Sequence, residues 1–412
     1  MNQRPWLRAL LWLAFLGPFF FLTYNFANAA ASWRTNVAVL MFPWERYIPF
    51  LGWTILPYWS SDFLYVLSLG ICKTREELDL HGKRSLAIQV FSILCFLAFP
   101  LRCSFDRPPV GGWEGDLFTV LLKFDQPFNQ APSLHAGLAV ILWMRHRAHI
   151  RGALGVLLGA WFVLVVVSTL TTYQHHFIDV PTGLWAGLLV VAALPERRVA
   201  NPEVRLTMLY LMGAVVCTAG AFMLRGFGWF LLWPGFALSM VAAAYWTGDS
   251  AWIARSGRLV MLPYAVGAWI NSRLWTRGQP SKNHLFDSVW IGRAPSRTDR
   301  HGMNSVVTLA PELPFRADSR IAMLDLTPPT SEQLDAAVRA IMNLSERRPT
   351  LVCCALGYSR SAIASAAWLL AAGHAKSIED ALDQVKHARP QVVVGPEYRR
   401  RLEEWAGQRK FA

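Results

Sequence analysis

The stretch LVCCALGYSRSA (residues 351–362) decides the fold of the C-terminal part of the chain. The apolar segment that ends in it, PTLVCC (349–354), is typical of a buried strand, and SRSAIASAAWLLAAGH (359–374) is typical of a helix that stops near Gly373. A tight loop between a strand and a helix N-terminus directs backbone N–H groups inward, and the helix dipole adds a favourable field for negative charge. The stretch therefore predicts an anion-binding cradle.

Two side chains in this cradle have the chemistry of phosphoryl transfer. Cys354 and Arg360 are spaced C-x5-R, with Gly357 between them and Ser361 directly after. The field of the cradle lowers the pKa of a thiol, so that a thiolate forms at neutral pH and can attack phosphorus. A guanidinium can grip two phosphate oxygens, and the Ser361 hydroxyl can stabilise the thiolate when it leaves. We expect Gly357 and Ser361 to shape the phosphate-binding loop.

Such a mechanism needs an acid for the leaving oxygen, and Asp325 is the candidate. It lies in AMLDLTPPTSEQL (322–334), after an apolar strand-like piece. The Pro-Pro pair predicts a rigid loop, and TSEQL predicts the start of a helix. Asp318 is the rival acid.

The order of motifs in residues 280–412 resembles the cysteine-based dual-specificity phosphatases. The resemblance implies that Cys354 is the nucleophile, Arg360 the phosphate clamp and Asp325 the acid. Many members have histidine before the nucleophile, where this chain has Cys353, which also opens the alternative of a strained vicinal disulfide. The motifs are DSVWIGRAPS (287–296), VVTLAPELP (306–314), LDLTPPT (324–330), CALGYSRSA (354–362) and EDALDQVKHARPQV (379–392).

The composition of the whole chain favours a membrane protein. Hydrophobic residues make up 54% of it and charged residues 16%, and its 19 Trp and 24 Phe fit spans with interfacial aromatics. The net charge is +13, but the arginines lie mainly between apolar runs, which suits cytoplasmic loops and not a nucleic-acid surface. The six cysteines have neither a disulfide framework nor paired zinc-ligand spacing. We expect no nucleic-acid partner.

Eight apolar runs predict membrane spans, most of them near the roughly 20 residues that cross a bilayer. The first is also consistent with a signal peptide, because ANAA (27–30) offers a cleavage site, but we favour a retained span. The expected fold class is a polytopic α-helical membrane bundle, with a six-helix core and about two extra spans, followed by an α/β cysteine-phosphatase domain. The runs are 6–24, 48–71, 85–101, 133–144, 153–171, 176–194, 206–224 and 229–246.

These runs and the phosphatase motifs imply four segments: a helical membrane domain (1–200), two additional spans (201–250), an interfacial linker helix (251–279) and the phosphatase-like domain (280–412). The stretch 257–275 could instead form a ninth span. Arg- and Lys-rich loops alternate along the chain, so the positive-inside rule places the C-terminal domain in the cytoplasm and 102–132 outside. The predicted location is a bacterial-type inner membrane.

A second candidate site lies in the membrane half. His175 and Asp179 are four residues apart, so they lie on one face of the sixth predicted helix if that helix has begun by His175. The carboxylate would fix the tautomer of the imidazole and leave its other nitrogen free to attack phosphorus. His135 would protonate the leaving group. Arg102 and Arg107 can supply positive charge on the same side.

Residues 48–194 resemble the type-2 phosphatidic acid phosphatase superfamily, through PSLH (132–135) and STLTTYQHHFIDV (168–180). The motif HHFIDV (175–180) most resembles that of the branch of lipid synthases that transfer inositolphosphoryl and phosphocholine groups. The resemblance implies that His175 is the nucleophile, Asp179 its partner and His135 the acid, with His176 a bystander. It also implies phosphate-binding roles for Ser133 and Ser168.

Two positions depart from the superfamily pattern. Pro100 stands where its usual lysine would be, and Thr169 where many members have arginine. Fewer cations weaken the hold on a doubly charged phosphomonoester, so a phosphodiester substrate stays open.

The sequence thus predicts a two-module phosphatase that requires neither metal nor cofactor. Its expected partner is a membrane phospholipid or lipid phosphate, and a phosphoprotein is the alternative for the soluble domain. In two further alternatives, the membrane half transfers phospho-head groups between lipids, or is an inactive anchor or carrier.

Overall fold

The computed structural model describes residues 4–409 apart from 124, 197–202, 225, 251–252, 254–258 and 347. The chain forms two compact units, Met1–Glu196 and Arg197–Ala412. The first is helical. The second contains further helices and a five-stranded sheet.

In the first unit the described residues form seven α-helices, with short 3-10 turns at Pro43–Tyr47 and Gly52–Thr54 before the second of them. Several helices begin at polar caps, as at Thr74, whose hydroxyl accepts from the Glu77 N–H. The helices are α1 (Trp6–Ser32), α2 (Ile55–Gly70), α3 (Arg75–Ala98), α4 (Gly112–Leu121), α5 (Leu134–His149), α6 (Gly152–Thr171) and α7 (Asp179–Ala193).

Close packing of α5 against α7 brings the predicted histidine motifs together. Gly183 and Gly187 of α7 face α5 so closely that an added Cβ would lie 2.3 Å from the Ser133 carbonyl oxygen or 2.5 Å from that of Gly137. Only glycine allows this approach, because any side chain would collide with backbone. The Ser133 N–H also donates to the Asp179 carbonyl oxygen.

The second unit begins with α8 (Val204–Leu224), a 3-10 turn (Gly226–Leu231) and α9 (Leu232–Thr247). The next helix that the structure describes in full is α10 (Leu262–Trp275), inside the stretch expected to form an interfacial helix. It runs beside α9 in the same direction: Trp233 Nε1 donates to the carbonyl oxygens of Leu259 and Val260, just before α10 begins.

Four helices in the described part of the chain are long and apolar enough to cross a membrane: Trp6–Ser32, Gly152–Thr171, Val204–Leu224 and Gly226–Thr247. The other predicted runs form shorter helices, or, as in α3, a helix whose first turns carry charge. The eight-span bundle therefore stays a prediction, and four candidate spans are what the structure supports.

The sheet has the strand order β1-β2-β5-β3-β4 and is parallel except for the β1–β2 pair. β5 is central, and all five of its residues are buried, which explains the unbroken apolar run in the sequence. The elements are β1 (Lys282–Phe286), β2 (Val289–Arg293), β3 (Ser305–Thr308), β4 (Ser319–Arg320), α11 (Ser331–Ser345), β5 (Thr350–Cys354), α12 (Arg360–Ala371), α13 (Ile378–Ala388) and α14 (Pro396–Gly407).

The expected start of a helix at TSEQL is where α11 begins. The Thr330 hydroxyl accepts from the Gln333 N–H, and the Gln333 side chain accepts from the Thr330 N–H, which is a capping box. This cap fixes the exit of the loop that carries Asp325.

Candidate functional site

The loop between β5 and α12 encloses the Cys354 thiol. The Gly357 N–H donates to Cys354 Sγ at 3.2 Å, and the Ser361 hydroxyl lies 3.5 Å from the same sulfur. Gly357 has φ +77°, and a Cβ there would lie 2.5 Å from the Gly292 carbonyl carbon, so only glycine fits. The structure thus directs one backbone N–H of the predicted phosphate-binding loop at the Cys354 sulfur, and the role of Cys354 as nucleophile stays a prediction.

The Arg360 guanidinium is held at the edge of this loop by a buried ion pair. Arg360 is 1% exposed, and its two terminal nitrogens donate to the Glu312 carboxylate at 2.6 and 3.1 Å. The Met323 carbonyl oxygen accepts a further hydrogen bond at 3.0 Å. Burial by itself lowers the pKa of Arg360, but the carboxylates of Asp325 and Glu312 outweigh it and raise that pKa well above its ordinary value.

Asp325 lies beside the guanidinium, with Oδ1 3.2 Å from Arg360 Nε. Its side chain is 36% exposed, so it stays accessible to a substrate. The following residue, Leu326, has φ +57°, which turns the loop sharply at this point. The rival Asp318 accepts from the Val306 N–H through its carboxylate and is thereby tied to the sheet.

Two residues of the site were not predicted from the sequence. Glu312 orients Arg360, and Arg389, also fully buried, donates to the carbonyl oxygen of Gly357 at 2.9 Å and to Asn283 Oδ1 at 2.7 Å. Both lie in quoted motifs, APELP and HARP, where a charged residue stands among prolines and apolar residues. For Glu312 the signal is its lone charge in an apolar segment, because such a charge is buried only with a partner; Arg389, which follows Lys386 and His387, carries no such signal.

Cys353 lies on the opposite face of β5 from Cys354. Cys354 packs with Val352 in the core beneath the helices, whereas Cys353 packs with Val306 and Leu351. Side chains alternate along a strand, so a vicinal disulfide would require β5 to leave the sheet. Burial raises the pKa of the Cys353 thiol, which keeps it protonated.

A cavity of about 340 Å³ in the first unit contains the two predicted histidines. His135 and His175 both line it, with ring centroids 6.5 Å apart, and His175 Nδ1 lies 3.3 Å from Asp179 Oδ2. His135 stacks on Tyr58 at 4.1 Å. The structure thus brings the three predicted side chains of this site together.

The residues expected to bind phosphate in this cavity are placed differently. Ser133 caps α5 by accepting from the Ala136 N–H, and Ser168 donates to the Val165 carbonyl oxygen at 2.6 Å. Arg102 is exposed, and Arg107 donates to the Thr172 carbonyl oxygen at 3.2 Å. None of the four is among the described residues that line the cavity, and both serine hydroxyls are engaged by their own helices.

His176, expected to be a bystander, is buried and hydrogen-bonded. The Ser104 N–H donates to its Nε2 at 3.1 Å, so its Nδ1 carries the proton and donates to Glu45 at 3.1 Å. Glu45 also accepts from the Phe177 N–H. Burial raises the pKa of Glu45, but these hydrogen bonds outweigh it and lower that pKa below its usual range. The sequence analysis did not identify Glu45.

Among the described residues, no group of three or more His, Cys, Asp or Glu side chains is placed to hold a metal ion.

Comparison with known proteins gives a family match for the domain that contains Cys354. Residues 297–408 match the model of the family described as "Dual specificity phosphatase, catalytic domain". A search of curated proteins gave no match.

Solved structures similar to the chain cover about a third of it. Tk-PTP in the active form is 27% identical, over 32% of this chain and 99% of its own, with a TM-score of 0.29. PTPMT1 in complex with PI(5)P is 21% identical, over 31% and 96%, with a TM-score of 0.28. Human DUSP28 is 24% identical, over 32% and 97%, also with a TM-score of 0.28.

The family match covers the loop with the Cys354 thiol, the buried Arg360 and the neighbouring Asp325. Residues 297–408 are a dual-specificity phosphatase catalytic domain, and the protein is accordingly a phosphatase that acts on phosphoric monoesters.

Proposed function

We propose that Cys354, Arg360 and Asp325 hydrolyse a phosphomonoester in two steps. The Cys354 thiolate attacks phosphorus and forms an S–P bond, while the ester oxygen leaves with the proton of Asp325. Water then attacks the phosphocysteine, gives a proton to the Asp325 carboxylate, and the S–P bond breaks to release phosphate. The single observation that carries this proposal is the Gly357 N–H directed at Cys354 Sγ, beside a guanidinium held by Glu312.

The adjacent cysteines provide a matched test of the nucleophile. Cys354→Ser should abolish hydrolysis of p-nitrophenyl phosphate by the purified full-length protein, and Cys353→Ser should retain it. Vanadate, which mimics five-coordinate phosphorus, should inhibit the wild type, and a chelator should not. Equal activity of both variants would rule out the proposed nucleophile.

A phosphoprotein is the alternative substrate of this domain. Trapping variants, Cys354→Ser or Asp325→Ala, should then retain a phosphoprotein and not a lipid. The ratio of turnover on a phosphotyrosyl peptide to turnover on a lipid phosphate, measured in a His175→Ala background, decides between the two substrates.

We propose a second phosphoryl-transfer site in the first unit, favoured by the cavity that His135 and His175 share. His175 would attack phosphorus through Nε2, since its Nδ1 faces Asp179, and His135 would protonate the leaving oxygen. Water would release phosphate from the phosphohistidine, whereas an acceptor alcohol would complete a head-group transfer.

Labelled phospholipid supplied with an acceptor alcohol distinguishes these two outcomes, because a transferase forms a new lipid and a hydrolase forms free phosphate. His175→Ala should abolish either product in a Cys354→Ser background, and replacement of the exposed His387 should not. Unchanged lipid turnover in His175→Ala would indicate that the first unit is an anchor or carrier.

We propose that the helical part is a multi-pass bundle of an inner membrane, with the phosphatase domain in the cytoplasm. The alternating basic loops support this orientation. A reporter fused after Ala412 should therefore behave as cytoplasmic. A periplasmic signal would contradict the orientation and would expose Cys354 to oxidation.

A further inference from the structure

A second cavity, of about 360 Å³, lies within the second unit between its apolar helices and the catalytic loops. Tyr210, Leu238 and Gly267 form part of its wall from α8, α9 and α10. The opposite wall includes Glu312, Asp325 and Ala355, the residue that follows Cys354. The cavity is of the size that holds small-molecule ligands, and it opens at the proposed acid.

The helices are hydrogen-bonded to the loops that they cover. The Tyr245 hydroxyl, near the end of α9, donates to the Asp325 carbonyl oxygen at 3.0 Å. The Ser272 hydroxyl of α10 donates to the Ala355 carbonyl oxygen at 2.5 Å. The loop with the acid and the loop with the nucleophile are therefore both fixed by apolar helices, so these helices are part of the catalytic site.

The cavity follows α10 for more than two turns. Pro263, Gly267 and Asn271 line it. The first and last of these positions are eight residues apart in one helix, or about 12 Å at 1.5 Å per residue. Pro234 and Leu238 line it from α9. α8, and α9 together with the 3-10 turn before it, are two of the four helices long and apolar enough to span a membrane. The cavity therefore extends from the acid along α10 and reaches helices that suit a hydrocarbon environment.

We propose that the Cys354 site, whose phosphatase function is itself the proposal above, takes a lipid phosphomonoester from the membrane. The phosphate enters between Asp325 and Ala355, and the hydrocarbon lies against α9 and α10. Pro234, Leu238, Pro263 and Ala268 offer no side-chain hydrogen-bonding group. Against this part of the wall a peptide would leave backbone N–H and C=O groups without partners, whereas an acyl chain leaves none. Hydrolysis releases phosphate and leaves the lipid hydroxyl in the membrane.

Gly267→Leu tests this proposal with little risk to folding. An ideal Cβ at Gly267 meets no atom within 4 Å, and leucine favours a helix interior over glycine. The side chain would occupy the cavity on the α10 side. The matched control is Gly407→Leu, at the end of α14, where a Cβ also meets nothing within 4 Å.

The readout is the ratio of kcat/KM for dioleoyl phosphatidic acid in mixed micelles to kcat/KM for p-nitrophenyl phosphate. All proteins carry His175→Ala, so that the site proposed for the first unit contributes no lipid turnover. Gly267→Leu should lower this ratio tenfold or more, and Gly407→Leu should not change it. As a second measurement, kcat/KM of the His175→Ala protein should rise from glycerol 3-phosphate through short-chain to long-chain phosphatidic acids.

Three results would overturn the proposal: an unchanged ratio in Gly267→Leu, no dependence on chain length, or faster turnover of a phosphotyrosyl peptide than of phosphatidic acid by the His175→Ala protein. These results can be distinguished from a failure of the proposed function. If Cys354→Ser keeps full activity on p-nitrophenyl phosphate, the assignment of Cys354 as nucleophile is wrong. If Cys354→Ser loses that activity but Gly267→Leu leaves the lipid selectivity unchanged, only the proposed lipid substrate is wrong.

Discussion

Replacing Glu312 with glutamine tests whether the buried ion pair positions the phosphate clamp. Glu312 holds Arg360 through two hydrogen bonds, at 2.6 and 3.1 Å, and both side chains are almost completely buried. Glutamine keeps the shape and one acceptor oxygen but removes the charge and turns the second oxygen into a donor. The guanidinium then faces an N–H group where it had an oxygen.

The size of the effect follows from burial. Breaking a buried ion pair costs about 3–5 kcal/mol, and a hydrogen bond to a charged group contributes about 1.5–3 kcal/mol. Glutamine retains one of the two bonds, and Asp325 stays within 3.2 Å of the guanidinium, so we expect a loss of about 2 kcal/mol. For a domain of about 130 residues this lowers Tm by roughly 6–10 °C.

The assay is thermal proteolysis of the full-length protein in detergent, scored on the C-terminal domain, beside steady-state hydrolysis of p-nitrophenyl phosphate. We expect kcat/KM of Glu312→Gln to fall about tenfold or more, which corresponds to about 1.4 kcal/mol. The apolar pair Glu312→Leu with Arg360→Met should recover stability but not activity. An unchanged Tm and unchanged kcat/KM in Glu312→Gln would refute the reasoning.

Three further predictions concern residues that hold the two sites in place. Arg389→Met leaves buried carbonyl oxygens of the phosphate-binding loop without a donor, so kcat/KM and Tm should both fall. Arg389→Lys should restore part of each. An active and stable Arg389→Met variant would contradict this. Tyr245→Phe removes the hydrogen bond to the Asp325 carbonyl oxygen, so kcat should fall about threefold to tenfold with little change in KM, an effect of about 1 kcal/mol. Glu45→Gln should lower Tm at neutral pH: the pKa of Glu45 is depressed in the folded state, so its stabilisation is present above the ordinary carboxyl pKa and is lost as pH falls through the folded value. The Tm difference between Glu45→Gln and wild type should therefore shrink in acid, and a difference that persists there would exclude the Glu45–His176 pair as its source.

Local patterns in the sequence were sufficient to predict the loop that brings Cys354 and Arg360 together in the C-terminal domain. A buried strand, a small-residue loop and a helix start within twelve residues position Cys354 and Arg360, because their geometry depends on one strand–loop–helix unit. The family match over 297–408 confirms the phosphatase assignment. The helix start at Thr330 was likewise predictable, since a capping box is read from adjacent residues.

The sequence also carried the histidine motifs of the first unit, because His175 and Asp179 are only one helical turn apart. Their approach to His135 depends on the glycines that let α7 contact α5, which is a tertiary property. The phosphate-binding role of Ser133 and Ser168 stays a prediction: neither is among the described residues that line the cavity, and each hydroxyl is hydrogen-bonded to the backbone of its own helix.

Only the tertiary structure decided which distant charges and helices complete the phosphatase site. Glu312 and Arg389 lie 48 and 32 residues from their partners Arg360 and Gly357, and no local pattern specifies a contact at that separation. The cavity that α8, α9 and α10 line together with Glu312, Asp325 and Ala355 likewise joins segments that are far apart in the sequence. The spacing of residues in the sequence predicts which reactive side chains meet within one helical turn or one loop. Which distant residues pair with them, and which substrates can reach them, depends on burial, and burial is a property of the packed chain.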